Sequence, residues 1–359
     1  MTTTAELLLA PGHARTAWPR LRPPLHVAVV GATGAVGAEM ITCLERRNLP
    51  VASLRLYASE RSAGRRIAFR GRPLQVEPLT DAAFEGVDLA LFAASGEIAR
   101  RYAPMAVSSG AVVIDNSSAF RMHPGVPLVT PEVNGAAALQ HAGVIANPNC
   151  CAVIAVMALW PLHAANPIRR VIASTYQAAS GAGAEAMREL WDSTEAYIHG
   201  RPYRPRVLAH PYAFNLFSHD SPVDPATGGN EEEIKVAQEL RKLMGAPDLR
   251  VGVTCVRTPV LRAHAIALTV ECERPITPDQ ALALLSAAPG LRIVNDAAAN
   301  HFPMPSEASG CDEVLVGRVR RDPSDPSGRS IALFVAGDQL LKGAALNAVQ
   351  IAERLIAPC

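Results

Sequence analysis

The feature that most constrains the fold is a short apolar run near the start of the chain that ends on a set of glycines. Leu25 to Val30 is rich in β-branched residues and leads directly into Gly31-Ala-Thr-Gly-Ala-Val-Gly37. Apolar residues at helical spacing follow and stop by Asn48. A strand, a glycine turn and a helix in this order favour a Rossmann-type unit, in which a pyrophosphate sits at the helix N-terminus. A tight turn without a ligand is the alternative.

The second strand predicts which dinucleotide this unit takes. Ser53 to Tyr57 would end near the adenosine ribose, where an NAD site usually places an acidic residue. Here Ser59, Arg61 and Ser62 follow, and their cationic and hydroxyl groups suit a 2′-phosphate. We therefore expect NADP, although Glu60 in the same turn could face a free ribose and the arginine could be a solvated surface residue.

Two more apolar runs, Val87 to Phe92 and Ala111 to Ile114, are followed by small polar residues. Ser95 and Asn116 would lie at the carboxyl ends of parallel strands, where open α/β sheets bind ligands. Arg121 comes shortly afterwards and is either a phosphate clamp or part of a surface salt bridge.

A polar turn, Asn147-Pro-Asn149, places Cys150 directly ahead of a long apolar run, Ala152 to Leu162. The run predicts a buried helix, and the turn residues predict its start. A thiol at a helix N-terminus is stabilised as the thiolate, which is the nucleophilic form. We therefore expect covalent catalysis at Cys150; a buried structural cysteine is the alternative.

The pattern beyond the cysteine indicates a different sheet. Val171 to Tyr176 predicts a strand, 184–198 a helix, and Asn230 a capping box that starts another helix. Glu232 and Lys235 share a face of that helix, and could hold the amino and phosphate ends of a zwitterion or form a salt bridge.

Two strands at the end of this region place a cation and an imidazole close together. Val251 to Arg257 alternates and ends on Arg257, and His264 begins the next alternating run. Beside a thiol, His264 is a possible general acid/base, although a lone histidine is more often structural. The strands are typical of an antiparallel sheet.

Together these patterns predict an α/β fold: a Rossmann-type nucleotide-binding domain plus an α+β catalytic domain with a mixed, largely antiparallel sheet. We expect an N-terminal extension over 1–24, the NADP-binding domain over 25–149 and 338–359, and the catalytic domain over 150–337. The final helix, from Lys342 to Ile356, should pack on the nucleotide domain.

Composition excludes several classes of protein. The net charge is +1, which gives no overall electrostatic case for nucleic acid or a membrane surface. No apolar run reaches the roughly 18–20 residues that a membrane span needs. The seven cysteines are irregularly spaced, which argues against a zinc site and fits a reducing compartment, the cytoplasm.

Seven motifs, in order from about residue 25 to the C-terminus, resemble those of the aspartate-β-semialdehyde dehydrogenase family. They are Gly31-Ala-Thr-Gly-Ala-Val-Gly37, Asp115-Asn-Ser-Ser-Ala-Phe-Arg121, Asn147-Pro-Asn-Cys150, Tyr176-Gln-Ala-Ala-Ser-Gly-Ala-Gly183, Asn230-Glu-Glu-Glu-Ile-Lys235, Cys255-Val-Arg257 with His264, and Lys342-Gly-Ala-Ala-Leu-Asn-Ala-Val-Gln350.

The resemblance implies that L-aspartyl 4-phosphate is reduced to the semialdehyde, in the aspartate pathway to lysine, threonine, methionine and isoleucine. It also implies a homodimer or homotetramer, with the second domain as the catalytic and dimerisation domain. It makes Cys150 the nucleophile, His264 the acid/base and Gln177 a catalytic residue that holds the substrate. It assigns substrate binding to Arg121, Asn149, Glu232, Lys235 and Arg257. Cofactor contacts are implied at Gly31, Thr33, Gly34, Ala35, Val36, Ser59, Arg61, Ser62, Ser95, Asn116, Ser180, Gly181 and Gln339.

The chain departs from the family pattern at three places. Cys151 replaces a Ser or Thr, Ala265-Ile266 follows the histidine where Ser-Glu is more usual, and Gln339 stands where Asn is common. N-acetylglutamyl-phosphate reductase has the same fold and chemistry, but we expect Pro-Gly-Cys at its nucleophile. A non-catalytic paralogue that acts as a binding subunit is the remaining alternative.

Overall fold

The structure, a computed structural model, describes residues 18–357, which divide into two units. Unit 1 comprises the described residues up to Pro148 together with those from Ala344 onward, and unit 2 comprises Asn149–Gly343. Most of the predicted extension lies outside the described residues; Leu21, within them, forms a parallel bridge with Ile356. No helix in the described part of the chain is long and apolar enough to cross a membrane.

The described residues form nine α-helices; the sequence patterns predict those that begin at residues 35, 150, 184, 231 and 346 and do not predict the other four. The nine helices are α1 (Ala35–Arg46), α2 (Gly96–Ser108), α3 (Pro131–Asn134), α4 (Cys150–Ala165), α5 (Ala184–Ile198), α6 (Glu231–Leu243), α7 (Pro278–Ser286), α8 (Pro305–Ala308) and α9 (Leu346–Leu355). Short 3₁₀ turns cover Glu60–Ser62, Gly135–Gln140 and Ala179–Ala182, and a π-helical turn covers Leu341–Ala345.

Unit 1 contains a seven-stranded, mostly parallel sheet. Its strands are β1 (Leu25–Val30), β2 (Val51–Ala58), β3 (Arg66–Phe69), β4 (Arg72–Pro78), β5 (Leu89–Phe92), β6 (Val112–Asp115) and β7 (Val144–Ala146), in the order β3-β4-β2-β1-β5-β6-β7. Only the β3–β4 pair of this sheet is antiparallel. The core strands β5 and β6 are buried at every position, which explains their continuous apolar sequence.

Two glycines fix the turn between β1 and α1. Gly31 has φ +84°, and a Cβ there would lie 2.3 Å from the carbonyl oxygen of Ala93. A Cβ on Gly37 would lie 2.1 Å from the carbonyl oxygen of Gly31. The strand–turn–helix unit can therefore pack this tightly only because both positions lack a side chain.

Unit 2 contains a second seven-stranded sheet, which is mixed and largely antiparallel. Its strands are β8 (Ile168–Gln177), β9 (Phe217–Ser218), β10 (Arg250–Arg257), β11 (His264–Cys272), β12 (Leu291–Ile293), β13 (Val314–Arg321) and β14 (Ser330–Gly337), in the order β12-β13-β14-β11-β8-β10-β9. Only β12–β13 and β8–β10 run parallel in it. With the parallel sheet of unit 1, this confirms the predicted fold class.

Strand register brings the ends of four strands to one edge of the second sheet. Arg257 lies opposite Gln177 on neighbouring parallel strands, and His264 lies opposite Gly337 on neighbouring antiparallel strands. Helix α4 packs against the same sheet, since a Cβ on Gly337 would lie 2.9 Å from the Ile154 side chain. The polar side chains of Arg257, Gln177 and His264 therefore lie at the same edge of this sheet.

Candidate active site

The turn before α4 positions the predicted nucleophile. The Asn149 side chain caps the helix, with its Oδ1 accepting from the backbone N–H of Cys151 at 2.8 Å and of Ala152 at 3.3 Å. Cys150 is the first residue of α4 and is half-buried. Its thiol thus lies at a helix N-terminus, as the sequence predicts, where negative charge is stabilised.

Three reactive side chains form a cluster at this helix start. The sulfurs of Cys150 and Cys151 and a ring nitrogen of His264 lie within 4.8 Å of one another. A hydrogen bond from the Cys151 thiol and the neighbouring His264 ring hold the pKa of Cys150 well below its usual range, against the opposing effect of burial. The same hydrogen bond and burial raise the pKa of Cys151 well above its usual range. Cys150 is therefore the thiolate of the pair.

The other buried thiols of unit 2 are poor nucleophiles. Burial raises the pKa of Cys255 to about 12 and that of Cys272 to about 11. Because only the thiolate attacks carbon or phosphoryl substrates well, these two cysteines stay inert at neutral pH. This contrast singles out Cys150.

His264 is fully buried and oriented by a backbone group. Its Nδ1 accepts the N–H of Ala178 at 2.9 Å, so the neutral ring carries its proton on Nε2. Within the described structure Nε2 is buried without a hydrogen-bond partner. A Cβ on Gly181 would lie 3.0 Å from Nε2, so this position must be glycine to leave the ring in place.

A polar network joins the nucleophile turn to the sheet edge and to α6. Glu232 Oε1 accepts from Asn149 Nδ2 at 2.8 Å and from Gln177 Nε2 at 3.2 Å. Glu239, one heptad further along α6, accepts the backbone N–H of Asn149 at 2.5 Å. Two carboxylates on one helix face therefore hold the residue that precedes Cys150.

Arg257 is buried at the end of β10 and has an acidic partner that sequence reasoning missed. Its Nε donates to Asp220 Oδ1 at 3.1 Å. Burial is the largest single influence on Asp220 and opposes its ionisation, but the charge and hydrogen bond of Arg257, together with a backbone hydrogen bond and His219, hold the pKa of that carboxyl below its usual range. Arg257 is thus held in a fixed orientation and keeps its remaining guanidinium nitrogens for other acceptors.

Lys235 makes a different contact from the one that its spacing to Glu232 favours. Its Nζ lies 2.9 Å from Glu231 Oε2, an i,i+4 pair in which both side chains are substantially exposed. Glu232 turns instead into the network with Asn149 and Gln177. Lys235 lies at the solvent side of α6, where a surface ion pair costs little to break.

The segment after β14 supports the loop that precedes His264. Gln339 Oε1 accepts the backbone N–H of Ala263 at 2.9 Å, and buried Asp338 accepts from Arg262 Nε at 2.6 Å. The resemblance implies a role for Gln339, but the sequence gives no signal for the Asp338–Arg262 pair, because the two residues meet only in the folded protein.

Two residues of unit 2 that the resemblance assigns to the cofactor have buried polar side-chain atoms. The Gln339 Nε2 and the Ser180 Oγ are buried without a hydrogen-bond partner in the described structure. Buried polar groups are normally paired, so an orphaned donor and hydroxyl in a site are suited to bind a polar group of a cofactor. A carboxamide ring substituent, as in nicotinamide, offers the matching acceptor and donor.

In unit 1 the glycine turn and the end of β2 are open to a ligand. Gly34, which begins α1 without a side-chain cap, is exposed, and Thr33, Ala35 and Val36 are partly exposed. A cavity of about 350 Å³ lies beside this turn, at the carboxyl ends of β1 and β2. The free N–H groups at the helix start suit a pyrophosphate.

The turn after β2 contains both groups that bear on cofactor choice. Ser59 and Glu60 line the cavity, whereas Arg61 is exposed and Ser62 is buried, with the Thr33 hydroxyl donating to Ser62 Oγ at 3.3 Å. The turn therefore contains a cation and hydroxyls, which suit a 2′-phosphate, beside a carboxylate, which suits a free ribose.

The remaining predicted residues of unit 1 are held by local hydrogen bonds. Ser95 Oγ caps α2 by accepting from Ile98 N–H at 3.4 Å, and Asn116 Nδ2 donates to the Phe92 carbonyl at 3.0 Å. Arg121 is buried and donates to the carbonyls of Asn147 and Asn116, at 3.0 and 2.7 Å.

Comparisons with known proteins cover both units. Residues 26–141 match the family model for the semialdehyde dehydrogenase NAD binding domain, and 159–342 match the one for the semialdehyde dehydrogenase dimerisation domain. An aspartate-semialdehyde dehydrogenase from Synechocystis sp. is 49% identical over 333 residues, which are 93% of this chain and 98% of the relative. The Bacillus subtilis enzyme of that name is 44% identical over 339 residues, covering 92% and 97%.

A solved structure agrees. The crystal structure of aspartate semialdehyde dehydrogenase II from Vibrio cholerae, complexed with ASA, has a TM-score of 0.89 at 40% identity and covers 92% of this chain and 98% of its own. The chain therefore belongs to the aspartate-semialdehyde dehydrogenase family of oxidoreductases.

Proposed function

We propose that this enzyme reduces L-aspartyl 4-phosphate reversibly to L-aspartate 4-semialdehyde and phosphate, through a thioester on Cys150 and with NADPH as the reductant. The observation that carries the proposal is the cluster at the start of α4, where Cys150 has a strongly lowered pKa beside His264. Family membership and the Vibrio cholerae relative complexed with ASA support the substrate. Neither the N-acetylglutamyl-phosphate reductase alternative nor a non-catalytic paralogue is favoured by these relatives.

In the first step the Cys150 thiolate attacks the acyl carbon and phosphate leaves. The backbone N–H groups at the start of α4 stabilise the oxyanion that forms on the carbonyl oxygen. We assign Arg121 and Lys235 to the phosphate, because a guanidinium and an ammonium offset the charge that the leaving group gathers. The exposed pair of Lys235 with Glu231 is weak enough to be exchanged for a phosphate contact.

In the second step the thioester becomes the aldehyde. NADPH, when bound, supplies the hydride that the thioester carbon accepts. His264 presents a proton at Nε2 and serves as the acid/base for the oxygen and sulfur of the collapsing intermediate. Ala178 keeps the ring in the tautomer that this role needs.

Substrate orientation falls to the polar side chains of the second sheet. Arg257 suits the α-carboxylate, because a guanidinium that is fixed by Asp220 can bind a carboxylate with two hydrogen bonds. Glu232 suits the α-amino group, and Gln177 with Asn149 holds the reacting end of the substrate. Together these residues select a short amino acid derivative whose α-carboxylate and α-amino groups are both charged and unblocked.

The match to an NAD binding domain assigns a nicotinamide cofactor, and we propose NADP over NAD. Arg61 with Ser59 and Ser62 supplies the groups that a 2′-phosphate needs. The comparison of kcat/KM for NADP and NAD tests this, with Arg61→Ala expected to reduce preference for NADP. A higher kcat/KM with NAD in the unaltered enzyme would overturn it.

We also propose a homo-oligomer, a dimer or a tetramer built from dimers, in the cytoplasm. Unit 2 matches a dimerisation domain and exposes large apolar side chains on α5 and the following segment, among them Trp191, Tyr197 and Phe214. Contiguous exposed apolar side chains mark protein interfaces. The irregularly spaced cysteines, free at all six of the described positions, fit a reducing compartment.

The direct test follows NADPH formation from aspartate semialdehyde, phosphate and NADP, with N-acetylglutamate semialdehyde assayed in parallel. We expect turnover of the first substrate only, and loss of at least about three orders of magnitude in kcat for Cys150→Ala. Normal turnover by Cys150→Ala would exclude the mechanism, and a preference for the acetylated substrate would exclude the assignment.

A further inference from the structure

A second thiol lies next to the nucleophile and gives this site a chemistry beyond acyl transfer. The Cys150 and Cys151 sulfurs lie within 4.8 Å of each other. Cys150 is half-buried and Cys151 is buried, so Cys150 is the more accessible residue of the pair. Two sulfur ligands this close favour soft centres over hard cations.

We propose that Cys150 and Cys151 form a dithiol site that chelates trivalent arsenic, and that arsenite blocks the enzyme by occupying its nucleophile. The reaction conserves atoms, charge and oxidation states: As(OH)₃, the Cys150 thiolate, the Cys151 thiol and one proton from solvent give a dithioarsenite that keeps one hydroxyl, together with two waters. Each As–S bond replaces one As–OH bond, the Cys151 proton and the solvent proton leave in the two water molecules, and arsenic stays trivalent, so no oxidant is needed.

Covalent geometry explains why this pair binds arsenic rather than closing on itself. Consecutive Cα atoms are about 3.8 Å apart, below the roughly 4.4–6.8 Å that an ordinary disulfide spans. A direct S–S bond between Cys150 and Cys151 would therefore distort the first turn of α4. An inserted arsenic atom lengthens the bridge and relieves that distortion.

His264 completes the site without being a ligand. Its Nδ1 is occupied by the Ala178 amide, and its Nε2–H is buried without a partner in the described structure. Since a nitrogen of this ring belongs to the same 4.8 Å cluster as the two sulfurs, it can donate a hydrogen bond to the hydroxyl that stays on arsenic. The second sulfur adds affinity because its bond forms within one molecule.

The test incubates the full-length enzyme with sodium arsenite, removes the unbound reagent and measures bound arsenic per chain by elemental mass spectrometry. We expect one arsenic per chain, the loss of two titratable thiols and loss of activity. A dithiol such as dithiothreitol should restore the activity, whereas a monothiol at the same thiol concentration should not. Arsenic binding is measured without substrate, so it stands or falls separately from the proposed reaction.

Three variants separate chelation from attack on one thiol. In Cys151→Ser and Cys151→Ala the arsenite concentration for half-inhibition, relative to each variant's own uninhibited rate, should rise on the order of a hundredfold. The matched control is Cys311→Ser, which removes another partly buried thiol of unit 2 and should leave arsenic binding unchanged. Equal arsenite sensitivity in both Cys151 variants and the unaltered enzyme, or one thiol lost per arsenic, would overturn the proposal.

Discussion

Cys150 has a low pKa because of two neighbours, one adjacent in the chain and one distant. Cys151 follows it directly, and its thiol donates the hydrogen bond that lowers the pKa of Cys150 most. His264 comes from the start of β11 and reaches the same place only through the fold of unit 2. The reactivity of one atom therefore depends on both local sequence and tertiary structure.

Replacing Cys151 by alanine removes the thiol donor and should raise the pKa of Cys150. Thiolate is then formed at higher pH, so the iodoacetamide alkylation profile of Cys150 should shift upward by about one pH unit, the equivalent of one hydrogen bond to a charged group. Mass spectrometry of the Cys150 peptide across a pH series measures this.

Cys151→Ser keeps a donor and is the matched control, with a profile near that of the unaltered enzyme. Identical profiles for Cys151→Ala and the unaltered enzyme would show that the neighbouring thiol has no part in ionising Cys150.

Asp220 holds Arg257 in place, and its loss should weaken substrate binding. In Asp220→Asn the carboxylate charge beside Nε disappears, so the guanidinium loses a fixed orientation. We expect KM for aspartate semialdehyde to rise about tenfold while kcat changes little, as for a binding contact equal in ground and transition states.

The control is Asp224→Asn, on the same connection, where the carboxylate accepts only from its own turn at Ala226 and Thr227. A fall in kcat with KM unchanged in Asp220→Asn would contradict the assigned role.

At the scale of whole elements, helix α6 both contributes to the stability of the fold and contacts the turn that carries Cys150. Asn230 and Glu233 form the predicted capping box at its start. From its first turn Glu232 reaches Asn149 and Gln177, and from its centre Glu239 reaches the Asn149 backbone. The register of this helix therefore sets the turn that carries the nucleophile.

Asn230→Ala should cost about 1 kcal/mol of unfolding free energy, since a capping side chain is lost. It should also lower kcat, because fraying of the first turn displaces Glu232. Thermal unfolding and steady-state kinetics measure the two effects.

Thr277→Ala is the control, because it removes the second capping box, on α7, which carries no proposed site residue. It should destabilise by a similar amount and leave kcat unchanged. If both variants lowered kcat equally, the fall would not depend on α6, and the link between this helix and the site would be contradicted.

Local patterns predict the elements well where burial is one-sided or continuous. Leu25–Val30, the helix over 184–198 and the capping box of α6 are where the sequence places them. Strands β3 and β4 are among those that the sequence patterns do not predict, because each is largely exposed and has a single buried residue. The partners Asp220 and Asp338 lie in irregular connections, where no periodicity marks them. Glu239 could have been found from its heptad spacing to Glu232.

For the molecule as a whole, residues with proposed chemical roles come from both units. The glycine turn and the residues proposed to select NADP belong to unit 1, and the thiol, the imidazole and the residues proposed to bind the substrate carboxylate belong to unit 2. Helix α9 belongs to unit 1, as its apolar spacing predicts, and contributes to the core of that unit.

Buried His141 should make stability depend on pH. Burial lowers its pKa from 6.5 to about 4, and its Nδ1 accepts the N–H of Gly143 at 3.0 Å. The neutral ring thus stabilises the fold above pH 6.5, and this contribution is lost as the pH falls from there through about 4. The total is about 3 kcal/mol.

Urea unfolding between pH 7 and pH 4 measures this pH dependence of the free energy of unfolding. His141→Asn, which keeps an acceptor but does not titrate there, should have a flatter pH dependence, whereas the exposed His199→Asn should behave as the unaltered enzyme. If the free energy of unfolding of His141→Asn fell with pH as steeply as that of the unaltered enzyme, the role given to His141 would be wrong.

The most direct test of the central claim is a single-turnover experiment without phosphate. Enzyme, NADP and aspartate semialdehyde are mixed, NADPH absorbance is followed, and the quenched protein is analysed by intact and peptide mass spectrometry. If Cys150 forms the thioester, one NADPH per active site appears in a burst and an aspartyl group is found on Cys150, released when phosphate is added. No burst, or an acyl group on any other residue, would contradict the mechanism.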